Sequence, residues 1–280
     1  MTLLKTAPVY HCLVAGLPTL KWEDEQLPLG QQEFKSMLQQ ELAANEYEVF
    51  LEIYLPYDNR NLLNRLLYSR AAFMTLGNLS EPEILEGIKR SKSLPGYMTA
   101  FLEFYEANKE NDLHWENELL RFFYSHLKNS PSKLLQSWTA FQQQHLNVLA
   151  AWNCRKFTRP LAEEVVVLEE DDWAEKLLLN QSSDFGLSGE FSWLPRLLEI
   201  YQMTQLVERE YALDSLRWNQ LEELAFFETF GLDALIVYGL KLQLLSRWQQ
   251  FDQTYGQHFL QRLSEEVAVQ VPELTPFTDP

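Results

Sequence analysis

Apolar positions in this chain recur three and four residues apart over most of its length, a spacing that predicts helices. Phe34, Met37, Leu38 and Leu42 give the segment Gln31 to Asn45 one buried face, with Gln and Glu on the other. From Glu46 to Leu55, Tyr47, Val49, Leu51 and Ile53 alternate as a strand would, yet the segment is read as helix. Pro56 interrupts it, and Asp58 stands where a side-chain oxygen caps a helix running through Arg70. Ser80-Glu81-Pro82-Glu83 matches a capping box with proline in the first turn, so a helix is expected to Lys89, and Pro95-Gly96 separates it from the next. Helices follow over Tyr97 to Asn108 and over Leu113 to Leu127, the second with Trp115, Leu119, Phe122 and Phe123 inward. Ser130-Pro131 opens a helix from Ser132 to His145, and another runs from Asn147 to about Phe157, before Pro160.

A few segments break this pattern. The opening residues through Leu20, held between Pro8 and Pro18, predict a short extended segment. Val165 to Leu168 is β-prone and leads into Glu169-Glu170-Asp171-Asp172, acids expected to cap a helix from Trp173 to Leu179. Gln181 to Gly189, rich in Ser and Gly, is the clearest linker. Two long helices follow, the last carrying the stripe Leu235, Tyr238, Leu242, Leu245, Trp248, Phe251, Tyr255 and Phe259 over roughly 40 Å at the helical rise of about 1.5 Å per residue. The tail after Val269 is expected to fray.

Composition sharpens this picture. Hydrophobic residues make up 46% of the 280 positions against ten glycines, which excludes disorder and leaves little room for turn-rich β structure. The net charge of −17 repels nucleic-acid phosphates and anionic lipid, leaving neutral or basic partners; the same charge also serves solubility alone. Cys12 and Cys154 form no disulfide framework. The run Val9 to Gly16 is too short and interrupted for a signal peptide. Leu232 to Leu245, the most apolar stretch, contains Asp233 and Lys241, so no direct membrane insertion is expected, and the cytoplasm is the expected compartment.

Candidate chemistry is sparse. His11, His114, His126, His145 and His258 never pair at metal-ligand spacing, and the familiar nucleotide and nucleophile motifs are missing. Glu208 with Glu210 and Glu222 with Glu223 do not share a helical face and read as solvated charge. Arg217-Trp218 and Arg247-Trp248 read as a core Trp beside an Arg that reaches outward to an acid. No catalytic, cofactor-binding or metal-ligating residue is assigned, and the chain is expected not to be an enzyme.

One pattern repeats. Asn61-Leu62-Leu63 with Leu66, Asn147-Val148-Leu149 with Trp152, and Asp233-Ala234-Leu235 with Tyr238 are spaced 86 residues apart, each followed by a base, Arg70, Arg155 or Lys241. A polar residue before an amphipathic helix is also ordinary helix-start chemistry. Taken as a repeat, it predicts three similar helical modules whose concave face binds an extended partner.

Tyr10-His11-Cys12-Leu13-Val14-Ala15-Gly16-Leu17-Pro18 and Asp58-Asn59-Arg60-Asn61-Leu62-Leu63 resemble a bacterial family encoded beside V-type ATPase subunits. It occupies the place of the V/A-type ATPase central-stalk subunit, called C in prokaryotes and d in eukaryotes, whose Asp-x-x-Asn-Leu element is also similar. The resemblance continues through Glu208 to Tyr211, Asp214 to Trp218, and Tyr238 to Trp248. It departs in a shorter chain and in second and third elements reduced to Asn147 and Asp233. The resemblance implies an all-α, funnel-like bundle of three modules, here divided at residues 1–108, 109–186 and 187–280. It further implies a non-catalytic rotor part whose partners are the ATPase shaft and membrane-ring subunits, held peripherally at the inner membrane. Asp58, Asn61, Asn147, Arg155, Asp233 and Lys241 are the motif positions, capping, structural or in contact with a partner. The alternatives are a cytoplasmic helical scaffold or adaptor unrelated to the ATPase, and a helical hydrolase or synthase with an unrecognised site.

Overall fold

The computed structural model describes residues 10–22, 27–68, 71–90, 94–111, 113–227 and 230–249. These form an all-α bundle, with no strand among the described residues. A short helix α1 (His11–Gly16) precedes α2 (Gln31–Glu41) and α3 (Ala44–Leu51), then a 3₁₀ turn (Glu52–Tyr54) and α4 (Leu55–Leu67). Next come α5 (Glu81–Arg90), α6 (Gly96–Asn108), α7 (Trp115–Leu127), α8 (Lys133–Phe157) and α9 (Leu161–Glu164). The described chain closes with α10 (Trp173–Leu179), α11 (Leu194–Tyr201), α12 (Leu206–Leu224) and α13 (Leu232–Gln249). Beyond Gln249, the expected extension of the last stripe through Phe259 and the tail lie outside the described residues, as does Arg70.

Local chemistry accounts for the boundaries. At α5, Glu83 accepts the Ser80 backbone N–H at 2.7 Å and the Ser80 hydroxyl at 2.6 Å, while Lys89 and Arg90 answer the dipole in the last turn. At α8 the Ser132 hydroxyl accepts the Leu135 N–H at 3.1 Å, and the helix ends on Thr158 at φ 53°, with the Arg159 N–H returning to the Cys154 carbonyl. The two helices expected on either side of Leu146 are therefore one of 25 residues. Neither Gly nor Pro interrupts it, and Leu134, Trp138, Phe141, His145, Val148 and Trp152 keep one face in register.

Four further expectations are corrected. Within the opening segment, His11–Gly16 is the helix α1 rather than extended chain, because Leu13, Val14 and Leu17 sit at helical spacing against the bundle, and the residues before Tyr10 lie outside the described residues. Val165 to Leu168 forms no strand, since its backbone pairs with side chains of α8. Gln181 to Gly189 is no linker: Phe185 and Leu187 are wholly buried in a compact turn with Phe185 and Gly186 at positive φ. The acids before α10 do not cap it through side chains either, and Asp171 is buried on other work.

Three apolar clusters organise the bundle. The first joins α2, α3, the 3₁₀ turn, the first half of α8 and α13, through Phe34, Phe50, Tyr54, Phe141, Leu235 and Leu242. In the second, the end of α8, α10, the Phe185 turn and α11 meet the middle of α12. Helices α4 to α7 make the third, with Val166 inserted from outside. Residues on both sides of position 108 share the third cluster, and residues on both sides of 186 share the second. No described helix is long and apolar enough to cross a membrane.

Candidate functional site

Pro56 in its first turn starts α4 and places Asp58, Asn59 and Asn61 inward, with Asp58 and Asn61 fully buried. Asp58 does not cap its own helix. Its two carboxylate oxygens accept the Asn78 and Leu79 backbone N–H groups, each at 3.0 Å. From the opposite side of that loop the buried Lys35 ammonium of α2 donates to the Gly77 carbonyl at 3.1 Å and to Asn78 Oδ1 at 2.9 Å, and lies 4.6 Å over the Tyr54 ring. Burial pushes the Asp58 carboxyl above its usual range, against the opposing pull of the two amides and Lys35. Burial likewise draws the Lys35 ammonium down, which Asp58 partly offsets.

Asn61 donates to the Met74 carbonyl at 2.9 Å and accepts the Met74 N–H at 2.8 Å. Asn59 accepts the Tyr97 hydroxyl at 2.6 Å and so ties α4 to α6. In α8, Asn147 accepts the Val166 N–H at 2.6 Å and donates to the Val166 carbonyl at 2.7 Å. Gln143 donates to that same carbonyl and to Asp171, which also takes the Leu168 N–H and the Lys128 ammonium. Backbone groups buried away from water must find partners, and these side chains supply them.

The other motif positions do different work. Arg155 donates to the Asn180 and Ser182 carbonyls and lies 4.0 Å over the Phe185 ring, closing the buried turn. Asp233, in the first turn of α13, accepts the Ser132 hydroxyl at 2.7 Å. Lys241 pairs with Glu222 at 3.0 Å and sits 4.5 Å over Trp218. The six positions thus do not converge on one site, and Asn61 and Asn147 lie inside helices rather than at their starts.

Sequence reasoning assigned no role to Asp214. This fully buried carboxylate of α12 accepts Arg217 at 2.5 Å, Arg247 at 2.7 Å and Trp248 Nε1 at 3.0 Å. Arg247 also reaches Glu210, so that acid is paired rather than solvated. Trp218 is buried and Arg217 is paired with an acid as expected, but that acid, Asp214, is fully buried, so Arg217 turns inward rather than outward. The legible signal was the three-residue step from Asp214 to Arg217 on one helical face.

Arg217 and Arg247 also line a cavity of about 610 Å³ between the first and third clusters. Its apolar wall includes Phe123, Leu127, Leu135 and Leu240, and Arg60 of α4 joins the two other guanidinium groups. Glu52, held by the Ser130 hydroxyl at 2.5 Å, is the only carboxylate among its described lining residues. Burial pushes its carboxyl up. No group of three or more His, Cys, Asp or Glu arranged to hold a metal ion occurs among the described residues.

Fold and clamps together define a helical protein in which several buried polar side chains, Asp58, Asn61, Gln143 and Asn147 among them, grip its own backbone. The chain belongs to the family described as a protein of unknown function, DUF2764, which matches residues 8–269. No curated protein and no solved structure gives a significant match.

Proposed function

We propose that this chain is a non-catalytic central-stalk subunit of a V/A-type ATPase, linking the membrane ring to the rotating shaft at the inner membrane face. The observation that supports the reading is the use of the motif residues. Asp58 and Asn61, which carry the Asp-x-x-Asn-Leu resemblance, and Asn147 of the reduced second element all clamp chain segments onto helices. A motif spent on rigidity suits a part that transmits torque, because compliance would store it. Three apolar clusters, the first two sharing α8 and α12, are the feature set beside the three modules that the resemblance implies.

The test is affinity purification of the tagged full chain from detergent-solubilised membranes of its source, followed by mass spectrometry. ATPase shaft and membrane-ring subunits are expected to co-purify. Their absence from the eluate, with the ATPase intact and expressed, overturns the reading in favour of a helical adaptor with other partners.

A further inference from the structure

The cavity between the first and third clusters is built unlike the rest of this acidic molecule. In a chain of net charge −17, three arginines line one cavity, open on one side to solvent, whose only described lining carboxylate is Glu52. Asp214 and Glu210 answer Arg217 and Arg247, whereas Arg60 has no ion-pair partner among the described residues. Two lining side chains also hold buried atoms without a hydrogen-bond partner among the described residues, Arg217 Nε and Gln31 Oε1. Those two atoms have no accessible surface, so the group open to a ligand is Arg60, which has no carboxylate partner among the described residues and for which an anionic oxygen is the natural complement. Beside polar residues such as Thr139, Gln142 and Gln243, the side chains of Leu120, Phe123, Leu127, Leu135 and Leu240 give the cavity an apolar stretch of wall that suits an apolar body. A volume of about 610 Å³ lies within the range of small-molecule sites.

We propose that this cavity binds a small amphipathic anion, one carboxylate or phosphate head held by Arg60 and Arg217 with its apolar body against Leu120, Phe123 and Leu127. One head group matches the one guanidinium, Arg60, that lacks a protein counter-charge among the described residues. The site does not depend on the rotor reading, because every residue named for it belongs to this chain.

The experiment titrates the full chain with dodecanoate and with dodecyl phosphate below their micelle concentrations, by calorimetry and native mass spectrometry. Dodecanol and inorganic phosphate serve as controls. Each anion is expected to bind once per chain, with dodecanol at least tenfold weaker and phosphate alone not detected. Arg60→Gln, at an exposed position that disturbs no described pair, is expected to raise Kd at least tenfold with an unchanged melting temperature. Leu244→Trp, which fills the cavity, is expected to abolish binding; if it fails to fold, Arg60→Gln decides alone. Equal binding of dodecanol, equal binding of bare phosphate, several ligands per chain, or wild-type affinity in Arg60→Gln would each overturn the proposal.

Discussion

Asn61 and Asn147 make the same two-bond pairing 86 positions apart, each side-chain amide accepting the N–H and donating to the carbonyl of one residue, Met74 or Val166. A carboxamide can pair this way because it carries both a donor and an acceptor in one plane. Asp233 lacks the donor, and it instead accepts the Ser132 hydroxyl that caps α8. Replacing Asn147 by Leu leaves the Val166 N–H buried and unpaired, and is expected to destabilise by about 1–3 kcal/mol. Asn61→Leu orphans both Met74 groups and is expected to cost somewhat more. Urea midpoints compared with wild type check both, and an unshifted midpoint counts against the clamp.

The Asp58 clamp predicts a specific coupling with Gly77. A Cβ on Gly77 would sit 2.3 Å from Asp58 Oδ1, so Gly77→Ala is expected to destabilise by displacing the carboxylate from its two amides. Asp58→Ala removes the obstacle and the clamp together. The double variant is expected to be less destabilised than the sum of the singles, by about 0.5–3 kcal/mol in a denaturation cycle. Strict additivity would mean that the two residues act separately.

Helix α13 approaches α2 and α3 closely at Gly239, where a Cβ would meet Ile53 Cδ1 at 2.7 Å and the Phe50 and Phe34 rings at 3.2 and 3.3 Å. Gly239→Ala is expected to lose about 1–3 kcal/mol through overpacking, despite alanine's better helix propensity. A thermal melt distinguishes the two effects by sign.

His145 makes stability depend on pH. Burial, aided by Arg217, lowers its pKa to about 3, so the folded state keeps it neutral while the unfolded chain protonates near the ordinary histidine value of 6.5. The stability is therefore present above 6.5 and falls away as pH drops toward 3. Relative to His145→Leu, wild type is expected to lose about 2 kcal/mol between about pH 7 and pH 5. Glu52 and Asp58, whose carboxyls burial raises, pull the opposite way in both proteins and cancel in the comparison. Parallel pH profiles for the two proteins would refute the assignment.

Helical spacing exposed most of the bundle, because periodicity is a local property that Phe34, Leu38 and Leu42 display without help from the rest of the chain. The segments read wrongly are those whose conformation is set from elsewhere. Val165 to Leu168 is β-prone by composition, but Gln143 and Asn147 take its backbone groups, so no second strand is needed. Polar composition suggested a linker around Phe185, yet a single buried ring with Arg155 above it fixes the turn. The cavity was invisible for the same reason, since Arg60, Arg217 and Arg247 meet only when three helices pack.

The first cluster brings Phe34 and Phe50 against Leu235 and Leu242. At about 5–20 residues per second, translation delivers these partners roughly ten to forty seconds apart. Helices α2 and α3 must therefore wait, covered at most in part by the first half of α8, for almost the last helix. Helper proteins that shield nascent chains have their longest task at α2 and α3, and any stalled or shortened product that lacks α13 leaves that same surface exposed to aggregation.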